Sequence, residues 1–168
     1  QMCIRDRYYA IPSGVKTAKN GKWEKGPGYS LFKAIKEEIP NIRIIAEDLG
    51  FLTKNVFQLL RKTGFPGMKV LEFAFDDDKD NMYLPHNYIK NCVVYTGTHD
   101  NMPLRAWFHS LTQEKKHLVR EYIMLENDDK ICDQMIRVAL GSVSDLVIIP
   151  IQDYLGFGIE SRINTPST

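Results

Sequence analysis

The sequence of 168 residues is poor in cysteine, carries almost no net charge and has no long apolar run. Its three cysteines, Cys3, Cys92 and Cys132, are odd in number, scattered, and never spaced CxxC. That excludes a zinc ribbon, argues against a disulfide framework and fits a reducing, cytoplasmic compartment. Lys and Arg number 22 against 21 Asp and Glu, a net charge of +1. Such a balance argues against bulk nucleic-acid binding, which needs clustered cations to neutralise phosphates. The longest apolar run, Leu146 to Ile151, is only strand length and is broken by Pro150, so no membrane span of about 18–20 residues is present. Gln1 to Arg7 has charges but no apolar stretch behind it, unlike a signal peptide. Repeats and low-complexity tracts are also missing. What remains is an ordinary globular composition, 43% hydrophobic and 26% charged, with one domain as the default at this length.

Short β-type runs alternate with amphipathic windows. Arg43 to Ala46 is a compact β-branched run ending in Glu47-Asp48. Thr53 is placed to cap a helix carrying Val56, Leu59 and Leu60, stopped by Gly64. Met68 to Phe75 reads as a second strand, Cys92 to Thr96 as a third and Leu146 to Pro150 as a fourth. Between the last two lie helical windows with Leu118, Val119, Tyr122 and Ile123, and with Ile131, Met135, Val138 and Ala139 before Gly141. Pro12 to Gly28 reads as a long loop, and Gln1 to Arg7 has no periodicity. Alternating strands and helices, with near-continuous apolar strands, predict an α/β fold with a parallel sheet. Polar clusters follow three strands: Glu47-Asp48, His99-Asp100-Asn101 and Gln152-Asp153. Strand carboxyl ends are where α/β folds carry chemistry.

These motifs make the sequence recognisable. Lys25-Gly26-Pro27-Gly28, Ile44-Ile45-Ala46-Glu47-Asp48-Leu49-Gly50, Gly64-Phe65-Pro66-Gly67-Met68-Lys69-Val70-Leu71, Tyr83-Leu84-Pro85-His86-Asn87, Tyr95-Thr96-Gly97-Thr98-His99-Asp100-Asn101 and Arg162-Ile163-Asn164-Thr165-Pro166 occur in this order. With Gly21-Lys22-Trp23 before them, they resemble the 4-alpha-glucanotransferases (amylomaltases, disproportionating enzymes) of glycoside hydrolase family 77 over roughly residues 8–168. The resemblance implies a (β/α)₈ TIM barrel. A whole barrel takes about 250 residues, so the expectation is an incomplete, C-terminal part of one, about strands five to eight. Residues 8–168 are then a partial catalytic barrel, and residues 1–7 a non-native or misassembled end. The family's nucleophilic Asp would align just before Gln1. Asp6, in Ile-Arg-Asp-Arg, imitates that motif at the wrong offset from Tyr8.

The same resemblance assigns roles. Retaining transfer of an α-1,4-glucan segment takes a nucleophile and an acid/base carboxyl about 5–5.5 Å apart. Glu47 corresponds to the general acid/base and Asp100 to the stabiliser of the oxocarbenium-like transition state. His99, Asn101, Asn164 and Arg162 are the candidate substrate-binding residues; Arg162 could instead brace its loop. Asp48 reads as structural, and Gln152 and Asp153 as shaping the rim. Trp23, Tyr83 and Trp107 could stack on sugar faces but more often such rings pack in cores. His86 and His99 lack metal-ligand spacing, so no metal is expected, and the family implies no cofactor. The expected partners are malto-oligosaccharides and α-1,4-glucans, not nucleic acid or membrane. The alternatives are a non-catalytic fragment that holds glucan weakly and a hydrolase of the alpha-amylase clan.

Overall fold

The computed structural model describes residues 7–50, 52–76 and 80–165. Gln1 to Asp6 lie outside the described residues, and so do Cys3 and Asp6. The chain divides into two units, Gln1–Gly67 and Met68–Thr168.

In the first unit, strand β1 (Arg7–Ala10) pairs antiparallel with β2 (Lys22–Lys25). The register sets Tyr9 opposite Trp23, and their rings meet edge to face at 5.2 Å. Such cross-strand aromatic pairs are a main source of hairpin stability. The segment expected as a loop therefore contains a strand, and Arg7 opens the first strand rather than ending an irregular tail. Two helices follow, α1 (Tyr29–Glu38) and α2 (Lys54–Thr63). Helix α2 starts after Thr53 and ends at Gly64, as its sequence predicts. Lys36 of α1 donates to the Thr63 carbonyl at 2.7 Å, and Phe32 meets Phe65 edge to face. Among the described residues, the run at 43–46 makes a single parallel bridge, Ala46 to Gly67, with the Ala46 N–H donating to the Pro66 carbonyl at 2.8 Å.

The second unit is built on strands β3 (Gly67–Val70), β4 (Cys92–Tyr95) and β5 (Leu146–Ile148), in that order across one sheet. Strands β4 and β5 are parallel, with Val94 opposite Val147. Four helices accompany them: α3 (Leu104–Ser110), α4 (Gln113–Ile123), α5 (Ile131–Leu140) and the short α6 (Ile151–Tyr154). Thr112 caps α4, accepting from the Lys115 N–H. Helix α5 buries Ile131, Cys132, Met135, Ile136 and Ala139. The i, i+1, i+4, i+5, i+8 spacing is that of one helical face. With Leu71, Leu104, Phe108, Val119 and Ile123, four of them (Ile131, Cys132, Met135 and Ala139) form a continuous core.

Two expected strands end early. The run 68–75 leaves the sheet after Val70 and turns through a 3₁₀ helix at Leu71–Phe73. The run 146–150 stops at Ile148, and Pro150 precedes α6. The first run is mostly buried, but Leu146 and Ile148 of the second are exposed, so an apolar run fixes neither burial nor the choice between a strand and a tight turn. Among the described residues no helix is long and apolar enough to cross a membrane.

Candidate functional site

The Thr98–Asn101 turn follows β4, and a local network closes it. Asn101 Oδ1 accepts from the Thr98 N–H at 2.9 Å and from Thr98 Oγ1 at 2.7 Å. The Asn101 N–H returns to the Thr98 carbonyl at 3.0 Å. Asp100 is thereby held at the apex with an exposed carboxyl. Two residues from the C-terminal segment fasten it there. Asn164 donates to Asp100 Oδ1 at 2.6 Å, and Arg162 Nη2 donates to the Asp100 backbone carbonyl at 2.7 Å. His99 Nε2 stands 3.5 Å from Asp100 Oδ1.

The neighbours of Asp100 in this turn and in the C-terminal segment line a cavity of about 280 Å³, Asp100 itself not being part of the wall. Thr98, His99, Asn101, Gln152, Arg162 and Asn164 supply its polar wall; Met102, Pro103, Pro150 and Ile163 its apolar one. A concave, mainly apolar wall with a few converging polar groups is the usual form of a small-ligand site. Five sequence-predicted residues, Asp100, His99, Asn101, Asn164 and Arg162, are thus gathered in the second unit. Arg162 meets the loop at the Asp100 carbonyl oxygen, and its guanidinium also acts on the Glu72 carboxyl.

Asp153 does more than shape the rim. It is 1% exposed. Its Oδ2 accepts from Thr96 Oγ1 at 2.6 Å and its Oδ1 from the Leu104 N–H at 2.8 Å. One carboxyl thus joins the end of β4, the first residue of α3, and α6. Burial pushes it above the ordinary carboxylate range, against the two hydrogen bonds.

Glu47 belongs to the first unit. It is exposed and stands at a cavity of about 230 Å³ walled by Phe32, Ile44, Val56, Leu60 and Phe65. Its neighbour Asp48 is buried, its carboxyl packed where a Cβ on Gly67 would collide with it. That is the structural role expected of Asp48.

The sequence reading missed Glu72. It lies in the 3₁₀ turn after β3, is 7% exposed, and its carboxyl reaches the Asn101 side chain. The available signal was one acidic residue inside the apolar run 68–75, a position where burial without a reason is costly. The stacking candidates separate. Trp107 is buried in the core against Phe75, and Tyr83 packs edge to face on Phe73. Trp23 is exposed and stays available. The His86 ring is engaged with the Tyr122 hydroxyl at 2.9 Å. Among the described residues no three His, Cys, Asp or Glu side chains are grouped to hold a metal ion.

Known proteins match this chain along nearly all of it. The family model described as 4-alpha-glucanotransferase, that of glycoside hydrolase family 77, matches residues 5–168. The 4-alpha-glucanotransferase of Clostridium butyricum is 49% identical over 164 residues, covering 97% of this chain and 34% of the relative. The chloroplastic/amyloplastic 4-alpha-glucanotransferase of Arabidopsis thaliana is 47% identical over 161 residues, covering 96% and 28% respectively. Among solved structures, an amylomaltase from Streptococcus agalactiae in complex with acarbose superimposes with a TM-score of 0.90 at 39% identity, covering 97% of this chain and 33% of that one. The α/β fold is similar to that amylomaltase, and the chain spans about a third of the length of the relatives it matches. With a match of this extent, the chain belongs to the 4-alpha-glucanotransferase family, glycoside hydrolase family 77.

Proposed function

We propose that this chain is a segment of a retaining 4-alpha-glucanotransferase, supplying about strands five to eight of its (β/α)₈ barrel, and that the whole enzyme moves α-1,4-glucan segments between malto-oligosaccharides in the cytoplasm. The observation that carries the reading is the Asp100 turn: an exposed carboxyl held by Asn164, on a turn braced by Arg162, next to a cavity lined by His99, Asn101, Arg162 and Asn164, in a chain matched by the family model over residues 5–168. The acarbose complex of the S. agalactiae relative supports an α-glucoside-like ligand.

The reaction is a double displacement. A nucleophilic Asp, which we assign to sequence preceding this chain, attacks the anomeric carbon. A glycosyl-enzyme ester forms as the C1–O4 bond breaks. Glu47 gives its proton to the departing oxygen, so the leaving glucan ends in a neutral 4-hydroxyl. Glu47 then takes the proton of an incoming sugar 4-hydroxyl, whose oxygen attacks C1 and releases the nucleophile. The electron-poor transition state gains from a fixed negative charge more than the ground state does, which is the task of Asp100. His99, Asn101 and Asn164 would hold ring hydroxyls; Asn164 would share its amide between Asp100 and the sugar. Arg162 keeps the turn in place. No cofactor or metal enters these steps.

The test uses the full-length enzyme that carries this segment. Glu47→Gln should lower disproportionation of maltotriose by about 10²–10⁴-fold, the usual worth of a general acid. Unchanged transfer would remove Glu47 from this role. The 168-residue chain alone should not disproportionate maltotriose.

A further inference from the structure

Glu72 is a carboxyl that the reaction above does not use, yet it is built into the turn that carries Asp100. Its backbone N–H donates to the Thr96 carbonyl at 3.2 Å, tying the 3₁₀ turn to the end of β4. The carboxyl lies against the backbone at Gly97. A Cβ there would sit 2.9 Å from Glu72 Oε1 and 3.3 Å from the Asn101 Cβ, so position 97 has no room for a side chain. The Asn101 side chain hydrogen-bonds the carboxyl. Asn101 Oδ1 already accepts twice from Thr98, so its amide N–H is the donor to Glu72. Among the described residues, two buried side-chain atoms lack a hydrogen-bond partner, Glu72 Oε1 and Arg162 Nε.

We propose that Glu72 is the positioning residue of the Thr98–Asn101 turn, gripping Asn101 so that the turn presents His99 and Asp100 in one geometry. Its consequence for catalysis rests on the glucanotransferase reading; its consequence for the turn does not. The Asn101 N–H has a carboxyl oxygen to donate to in either protonation state; burial and the Asp153 carboxyl, not the grip, hold Glu72 protonated. Burial first, then the Asp153 carboxyl of α6, push Glu72 up to about 9, while Asn101 and the Arg162 guanidinium pull the other way. Asp153 and Arg162 are the charged groups acting on it. Ionised Glu72 would place a second negative charge beside Asp153 in a buried site served by one guanidinium. Repulsion would then move the carboxyl, and Asn101 with it.

The experiment compares wild type, Glu72→Gln and Glu72→Leu in the full-length enzyme that carries this segment. Backbone amide exchange over residues 97–104 and steady-state transfer from maltotriose are followed from neutral to alkaline pH. The amide of Gln mimics the protonated acid. Glu72→Gln should keep the turn protected across the range and flatten the alkaline fall seen in wild type. Glu72→Leu should lose protection at every pH and lower kcat by about tenfold or more with KM little changed, the pattern of lost transition-state alignment. If wild type and Glu72→Gln show the same pH profile of protection, the proposal fails, even where Glu72→Leu does not fold. Full protection in Glu72→Leu would overturn it as well. If wild type transfers no glucan while the exchange pattern appears as described, the glucanotransferase reading fails and the positioning role stands.

Discussion

In the second unit the candidate carboxyl, Asp100, sits on a turn closed by Asn101 and fastened by Asn164 and Arg162. One core in that unit runs through α3, α4 and α5. The first unit is made differently. Glu47 follows a single bridge residue, Ala46, and stands exposed at an apolar cavity. Helix α1 buries none of its residues. The two candidate acidic residues thus rest on different physics. Asp100 is held by directional hydrogen bonds on a packed support, whereas Glu47 depends on extended backbone with little core of its own. A core sets the energetic scale of a region's order, so the second unit should be the more resistant of the two.

The largest effect that can break this contrast is a cavity in the better core. Phe108 is fully buried between α3 and its neighbours. Phe108→Ala should cost about 3–5 kcal/mol, read as lost exchange protection throughout residues 68–165 of the full-length protein. Leu59→Ala, at one of the few buried positions of the first unit, should cost less, about 2 kcal/mol, with the loss confined to that unit. Equal losses of protection would mean that the first unit is packed as firmly as the second.

A smaller effect sharpens the contrast through pH. Burial, with the Asp153 carboxyl, holds Glu72 up to about 9, from an ordinary glutamate value of 4.5. Between those two values the folded chain keeps a proton that the unfolded chain releases. Stability contributed by this group is therefore complete below the lower value and is lost as pH rises toward the upper one. The slope is at most about 1.4 kcal/mol per pH unit. Glu72→Gln should flatten it, so the variant gains on wild type as pH climbs from about 5 to about 9. Denaturant titrations at several pH values check the sign; a variant that loses ground with rising pH contradicts it.

How far the sequence could be read depended on whether a residue's role is local. Helix α2 begins after Thr53, whose side chain makes no cap hydrogen bond, and stops at Gly64, whose left-handed backbone is a property of that one residue. The face of α5 was legible in the same way. The β1–β2 hairpin was not, because its strands are short, polar and separated by Gly- and Lys-rich sequence that resembles a loop. Helix α3, seven residues long, is too short to announce itself, and the turn at Leu71–Phe73 hides in an apolar run. At the site, the His99-Asp100-Asn101 cluster was visible as a polar group after a strand. The work of Glu72 and Asp153 was not visible, since each acts on chain distant in sequence: Asn101 for the first, Thr96 and Leu104 for the second.

The division of labour between Glu47 and Asp100 can be measured directly with α-glucosyl fluoride as donor in the full-length enzyme. Fluoride leaves without a proton, so an enzyme lacking its general acid should still load the nucleophile, while one lacking a transition-state carboxylate should not. Loading, followed by fluoride release and by the mass of the glycosyl-enzyme, is predicted to survive in Glu47→Gln and to fall by about 10²-fold or more in Asp100→Asn. Loading that survives in Asp100→Asn and vanishes in Glu47→Gln would contradict both assignments.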